Sequence, residues 1–316
     1  MRAVVLDESG LAMTERPVPQ PEPGEVLVRV LLAGLCETDL QLVRGYMGFR
    51  GVLGHEFVGI AESGAYQGQR VVGEINCACG QCQTCRAGFE THCPHRTVLG
   101  ILNHDGAFAD FVAVPERNLH AVPASVSNEQ AVFVEPLAAA FQILEQVVVR
   151  RDHTVIVLGD GRLGNLCAQV LSQTGCRLTV VGKHPRKLGL LADRGISTAL
   201  VGEMESGPQA EIVVDCTGSA TGFVAAVKLL RPRGTLVLKT TVAGTQQLSL
   251  APLVIDEITV VGSRCGPFVP ALRALDERRV DVDALIDGTY ALSDAVAAFE
   301  RASSLPTLKL LFDPGN

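Results

Sequence analysis

The sequence contains no tryptophan and only three tyrosines, so an aromatic cage is not expected and any small-molecule pocket should be aliphatic and polar. It has no apolar run of the about 18 residues needed to cross a bilayer. A basic excess is also missing: 34 acidic residues outnumber 27 Lys and Arg, for a net charge of −7. Such a surface does not attract phosphate backbones or anionic lipid, so neither a nucleic-acid nor a membrane partner is expected. The 32 Gly and 16 Pro follow no fixed period, and no solenoid repeat recurs, which excludes collagen-like and repeat architectures. Asp7 and Glu8 cut off the short apolar start, so no signal peptide is expected and the location should be cytoplasmic.

What is present is core-forming material. Apolar residues make up 47% of the 316 positions against 19% charged, enough for two domains at about 150 residues each. The first 125 residues read as β-rich, with apolar runs at Val26–Leu32, Phe57–Ala61 and Phe108–Val114. Pro17, Pro19, Pro21 and Pro23 exclude a central strand and predict an extended connection. From Asn128 to Val149 the apolar spacing turns helical, with Ser127 as the expected N-cap, Gln130 completing a capping box, and Pro136 as a kink or boundary.

From Thr154 strand and helix alternate. Strands are expected at Thr154–Leu158, Leu178–Val181, Glu211–Asp215 and Thr235–Leu238, with helices at Leu163–Thr174, Lys187–Arg194 and Thr221–Leu230. Repeated βα units of this length specify a parallel, doubly wound α/β sheet. A further helix, Ala291–Arg301, and strand, Leu308–Phe312, follow.

Ten cysteines in a long chain without an export signal point to metal or redox chemistry rather than disulfides. Cys79, Cys82, Cys85 and Cys93 follow a C-x2-C-x2-C-x7-C spacing, with Gly80 and Gly88 for tight turns. Four thiolates suit a closed, structural zinc; an iron–sulfur cluster is the smaller rival, and Cys77 is a spare thiol nearby. Cys36, His55, Glu56 and Glu135 lie far apart in sequence. Together they form the mixed set of a catalytic zinc, which keeps one position open.

Gly159-Asp160-Gly161-Arg162-Leu163-Gly164 follows a buried strand and opens a helix, the context in which a glycine-rich turn cradles a dinucleotide. The end of the second strand, Gly182-Lys183-His184-Pro185-Arg186, carries no acid. Lys183, His184 and Arg186 suit a ribose 2′-phosphate, so NADP(H) is favoured over NAD(H), and an acid placed at 182 should shift the preference.

In this order, the Cys36-x-Thr38-Asp39, Gly54-His55-Glu56, four-cysteine, Glu135-Pro136 and glycine-turn motifs resemble the zinc-dependent alcohol dehydrogenases of the medium-chain dehydrogenase/reductase superfamily. The style is that of the polyol, threonine and glucose dehydrogenase branch. Val214-Asp215-Cys216-Thr217-Gly218 and Val261-Gly262-Ser263 resemble the family's cofactor-contacting strand ends, Thr217 among them. The resemblance implies a GroES-like β-barrel catalytic domain over 1–150, completed by 288–316, and a Rossmann domain over 151–287, with the active site in the cleft between them.

It further implies hydride transfer between an alcohol (secondary, polyol or sugar-like) and NAD(P)+. Cys36 and His55 map to the catalytic zinc, Glu56 and Glu135 are the carboxylate candidates, Thr38 matches the proton-passing hydroxyl, and Asp39 is placed to orient His55. A homodimer or homotetramer is expected through edge segments such as Leu248–Leu253 and Ile258–Val261. Three features depart from the family: Glu37 stands where glycine is common, Gln41 where many members carry histidine, and the stretch between Gly54-His55-Glu56 and Arg70-Val71-Val72 is short. A zinc-independent enone or quinone reductase and a non-catalytic dinucleotide sensor are the alternatives. Arg44, Tyr46, Phe49 and the Cys265–Phe268 segment are the substrate-facing candidates.

Overall fold

The computed structural model describes residues 1–203, 209–241 and 247–315. The chain divides into two compact units: Met1–Glu135 with Phe268–Asn316, and Pro136–Pro267. Among the described residues no helix is long and apolar enough to cross a membrane.

The first unit is built around the long strand Glu25–Gly34, whose residues alternate between buried and half-buried. It pairs antiparallel with Glu56–Ala61 and with Phe111–Pro115, and at its far end with Lys309–Asp313. Arg70–Gly73 and Leu119–Ala121 extend the sheet on one side and Ile286–Ala291 on the other. A smaller sheet joins Gly10–Glu15, Arg2–Asp7 and Gly51–Val52. The prolines at 17 to 23 form an extended connection, as their missing N–H groups require.

Phe108, Phe299 and Phe312 centre the core, with Phe108 edge-on to Phe312 at 4.8 Å and to Phe299 at 6.0 Å. That packing explains why the strand expected from Phe108 starts only at Phe111: Phe108 turns inward. The helix expected over 128–149 is two pieces, Asn128–Ala131 and Val134–Gln146. Ser127 caps the first with a capping box to Gln130, and Pro136 falls in the first turn of the second, where its missing donor is harmless.

The second unit holds a six-stranded, all-parallel sheet among its described residues. In space the strands run Ser197–Leu200, Arg177–Gly182, Thr154–Leu158, Ala210–Asp215, Leu230–Leu238, Thr259–Gly262. Numbered along the chain this is the 3-2-1-4-5-6 order of dinucleotide-binding sheets, with the switch point between Thr154–Leu158 and Ala210–Asp215. Val155, Val157, Val213 and Val214 are fully buried, as strands covered on both faces require. The turn expected at Pro232–Gly234 lies inside one strand, Leu230–Leu238, with Arg233 at φ 62°. Leu248–Leu253 is not an edge strand: Pro252 sits in the first turn of a short helix, Ala251–Ile255. On that side the edge is Thr259–Gly262, and on the other it is Ser197–Leu200.

Candidate functional site

Three of the four residues read as a catalytic metal set meet. The ligand atoms of Cys36, His55 and Glu56 lie within 4.8 Å of one another. Each is delivered by the turn it sits on. Cys36 is the N-cap of the helix Glu37–Val43, and its N–H donates to Asp39 Oδ2 at 2.8 Å. His55 and Glu56 follow Gly54, which holds φ +97°; a Cβ there would come within 2.4 Å of the Phe108 ring. Only glycine meets both demands, which is why the histidine enters the site behind a glycine.

Asp39 is fully buried, and its Oδ1 faces His55 Nδ1 at 3.3 Å, off the line of a well-formed hydrogen bond. Burial opposes a charge on His55, yet Asp39 and then Cys36 outweigh it and hold the imidazole well above its usual range. Thr38 Oγ1 stands 3.8 Å from Cys36 Sγ. Glu135 opens the helix Val134–Gln146 and is not part of the close group.

The sequence reading missed Lys309. Its Nζ donates to Glu56 Oε2 and to the Leu35 carbonyl at 3.4 Å, and lies 5.3 Å from the Phe133 ring centre. Both partners of the Lys309–Glu56 pair are 1% exposed. The only advance signal was a charged residue inside the apolar strand Leu308–Phe312.

The family-based departures at Glu37 and Gln41 touch each other: Gln41 Nε2 donates to Glu37 Oε1 at 2.9 Å. Arg44 pairs with Glu37 at 3.7 Å on the surface, and Phe49 is buried under Gly51 as a packing residue.

The four-cysteine lobe converges as its spacing requires. Sγ–Sγ distances are 3.4 Å (Cys82–Cys85), 3.6 Å (Cys79–Cys93), 3.8 Å (Cys82–Cys93) and 4.0 Å (Cys79–Cys85). A tetrahedron with Zn–S bonds of about 2.3 Å has edges of about 3.8 Å, so the four sulfurs fit one zinc. All four cysteines are free of disulfides. Amides of Gln81 and Cys82 hold the Cys79 thiol down to about 6, and the Cys85 amide lowers Cys82, so these two favour the thiolate a metal needs. Cys77 lies outside the group, and burial pushes its thiol up to about 11.

In the second unit, the glycine turn stands at the sheet's switch point. Gly159 holds φ +117°, a Cβ there would meet the Cys216 carbonyl at 2.5 Å, and one at Gly164 would meet the Gly159 carbonyl at 2.0 Å. Gly161 caps the helix that Arg162 and Leu163 begin, so that helix's first amides open at the turn. Thr217 is anchored by Asp215, whose Oδ1 accepts from its N at 2.9 Å and its Oγ1 at 2.8 Å. At the end of Arg177–Gly182, Lys183 is exposed, His184 is half-buried and Arg186 is exposed on the next helix. An acid does stand there after all. Asp160, from the glycine turn, accepts from Lys183 N at 2.7 Å, His184 N at 2.6 Å and His184 Nδ1 at 3.1 Å.

Residues 22–124 match the profile of the alcohol dehydrogenase GroES-like domain, and 163–277 that of the zinc-binding dehydrogenases. Sorbitol dehydrogenase of Halalkalibacterium halodurans is 30% identical over 344 aligned residues, covering 99% of both chains. D-altritol 5-dehydrogenase of Agrobacterium fabrum is also 30% identical, again over 99% of each. A zinc-binding dehydrogenase from Sinorhizobium meliloti, solved with NADP bound, superposes with a TM-score of 0.88 at 27% identity over 99% of both chains. This likeness runs end to end and carries both domain profiles in order. The chain therefore belongs to the zinc-binding alcohol dehydrogenases of the medium-chain superfamily, in their polyol branch, and is an NAD(P)-dependent alcohol oxidoreductase.

Proposed function

We propose that this enzyme interconverts a secondary alcohol, in particular a polyol or sugar alcohol, and its ketone. The reading is carried by the meeting of Cys36, His55 and Glu56 around one point, backed by Asp39. It is supported by relatives named for sorbitol and D-altritol. The unit holding Cys36 and His55 is the catalytic body, and the parallel-sheet unit is the dinucleotide carrier.

The donor set of one thiolate, one imidazole and one carboxylate, with ligand atoms within 4.8 Å of one another, fits a catalytic zinc. Cys36 and His55 would hold it, with His55 oriented by Asp39 through Nδ1. Glu56 is the carboxylate partner, in balance with Lys309, and Glu135 is the alternate carboxylate. When bound, the ion supplies Lewis acidity that brings an alcohol's pKa towards neutrality. Thr38 takes the substrate's hydroxyl proton at Oγ1 and passes it outward. Gly159, Gly161, Arg162, Leu163 and Gly164 would hold the dinucleotide, with Thr217 just past the end of the fourth strand. Lys183, His184 and Arg186 favour NADP(H). Cys79, Cys82, Cys85 and Cys93 would hold a structural zinc, leaving it no open position.

The edge strand Thr259–Gly262 leaves Val260 40% exposed, and beside it Val254 and Ile255 are 76% and 77% exposed. These residues support a homodimer or homotetramer formed edge to edge; the enzyme is taken to be cytoplasmic. The test is a spectrophotometric screen of secondary alcohols, polyols and hydroxy acids with both cofactors, alongside zinc analysis. Two zinc ions per chain and polyol turnover are expected; one zinc and no turnover across the panel would refute the reading.

A further inference from the structure

Among dinucleotide-binding sheets, the carboxylate that accepts from the ribose 2′-hydroxyl sits at the end of the second strand, about twenty residues past the glycine turn. Here that strand end is Gly182, which has no side chain. The space is nonetheless filled. A Cβ built on Gly182 would lie 2.4 Å from Asp160 Oδ2, 2.5 Å from its Cβ and 2.6 Å from its Cγ. The Asp160 side chain thus occupies the volume in which a side chain at 182 would begin. It reaches there from the other side, out of the glycine turn itself.

The carboxylate is 9% exposed and is held from three directions, by the amides of Lys183 and His184 and by the His184 ring. Burial alone would raise its pKa, but the His184 amide and ring and the Lys183 amide outweigh burial and keep it below the usual carboxylate range. It is a fixed anion at neutral pH. Oδ2 carries both amide contacts, while Oδ1 receives only the imidazole, which leaves Oδ1 with acceptor capacity.

We propose that Asp160 is a cofactor-selecting residue: it supplies from the glycine turn the carboxylate that the second strand lacks, and so limits the preference for NADP(H) that the basic loop creates. The proposal rests on the dinucleotide reading given above. Lys183 and Arg186 attract a 2′-phosphate. Asp160 opposes it, engages His184 and offers Oδ1 to a free ribose hydroxyl. The enzyme then accepts both cofactors, NADP(H) the more tightly by a modest margin. An acid introduced at 182 would collide with Asp160, so Gly182→Asp is not a clean test of cofactor choice, and the informative substitution is at 160.

The experiment measures dissociation constants of NADPH and NADH by nicotinamide fluorescence, on the zinc-loaded protein and on Asp160→Asn, which keeps the shape and removes the charge. The expected result is a rise of about tenfold in the NADPH-to-NADH affinity ratio, the order of one charge interaction acting largely through water. A residue that only shapes the loop weakens both cofactors together and leaves the ratio where it was; that result, or a fall in the ratio, overturns the proposal. Should Asp160→Asn fail to fold, the wild-type protein decides by competition with ADP and 2′,5′-ADP. Affinities within about tenfold of each other support the proposal, and stronger discrimination overturns it. Failure of the wild type to bind either cofactor refutes the underlying dinucleotide reading as well, and is seen before any variant is made.

Discussion

At the scale of single residues, the pairing of Lys309 with Glu56 carries the sharpest consequences. Both groups are almost wholly buried, and each is the other's counter-charge. Removing the lysine strands a carboxylate in the interior, at a cost of about 3–5 kcal/mol, unless a cation takes over. Lys309→Met is therefore expected to destabilise the metal-free protein by that amount and the zinc-loaded protein far less. Urea melts with and without zinc read the difference; equal losses in both states would mean that Glu56 does not share its charge with the metal. Cys36→Ser tests the other side of the site. Zinc content should fall by one ion per chain and turnover should vanish, while NADPH fluorescence still reports binding. Loss of folding instead would make Cys36 a packing residue.

At the scale of elements, the four-cysteine lobe converges on its own sulfurs and is tied to its surroundings by bonds from Arg117 to the Ala78 carbonyl and from Arg96 to the Cys93 carbonyl. Cys82→Ser should release one zinc and expose residues 79–93 to limited proteolysis, while NADPH binding is retained; mass spectrometry and fluorescence check the two halves. The contact between the glycine turn and the loop after Arg177–Gly182 makes a pH prediction. Asp160 is held below its ordinary pKa, so its stabilisation is present above the unfolded value and lost as pH falls through the folded one. The stability gap between wild type and Asp160→Asn, followed by denaturant melts, should be constant near neutrality and close below about pH 3.9.

Much of this level was legible beforehand. Thr154–Leu158 reads as a strand because five apolar or β-branched residues end at a glycine that only a turn can use. The helices that follow begin within two residues of where capping and period place them. Leu248–Leu253 misled because a short apolar run has no period of its own, and Pro252 suits a helix start as well as an edge. Lys309 and Asp160 were out of reach for another reason. Their partners stand 253 and 24 positions away, and a charge says nothing of its partner until the chain is folded.

At the scale of the whole molecule, the proposed edge-to-edge dimer is tested at Thr259–Gly262, one of the two edge strands of the parallel sheet. Val260→Lys should yield a monomer by light scattering, with the zinc content unchanged; a persistent dimer would place the interface elsewhere. The first unit draws on both flanks of the chain, and Lys309–Asp313 lies between Glu25–Gly34 and Ile286–Ala291 in its main sheet. On the ribosome, that strand emerges after every neighbour it will join. Until it arrives, the strand carrying Gly34 has an open flank and Glu56 has no lysine beside it. The metal-binding unit is thus closed by its most sequence-distant strand pairing, and the same strand brings the buried cation that Glu56 faces.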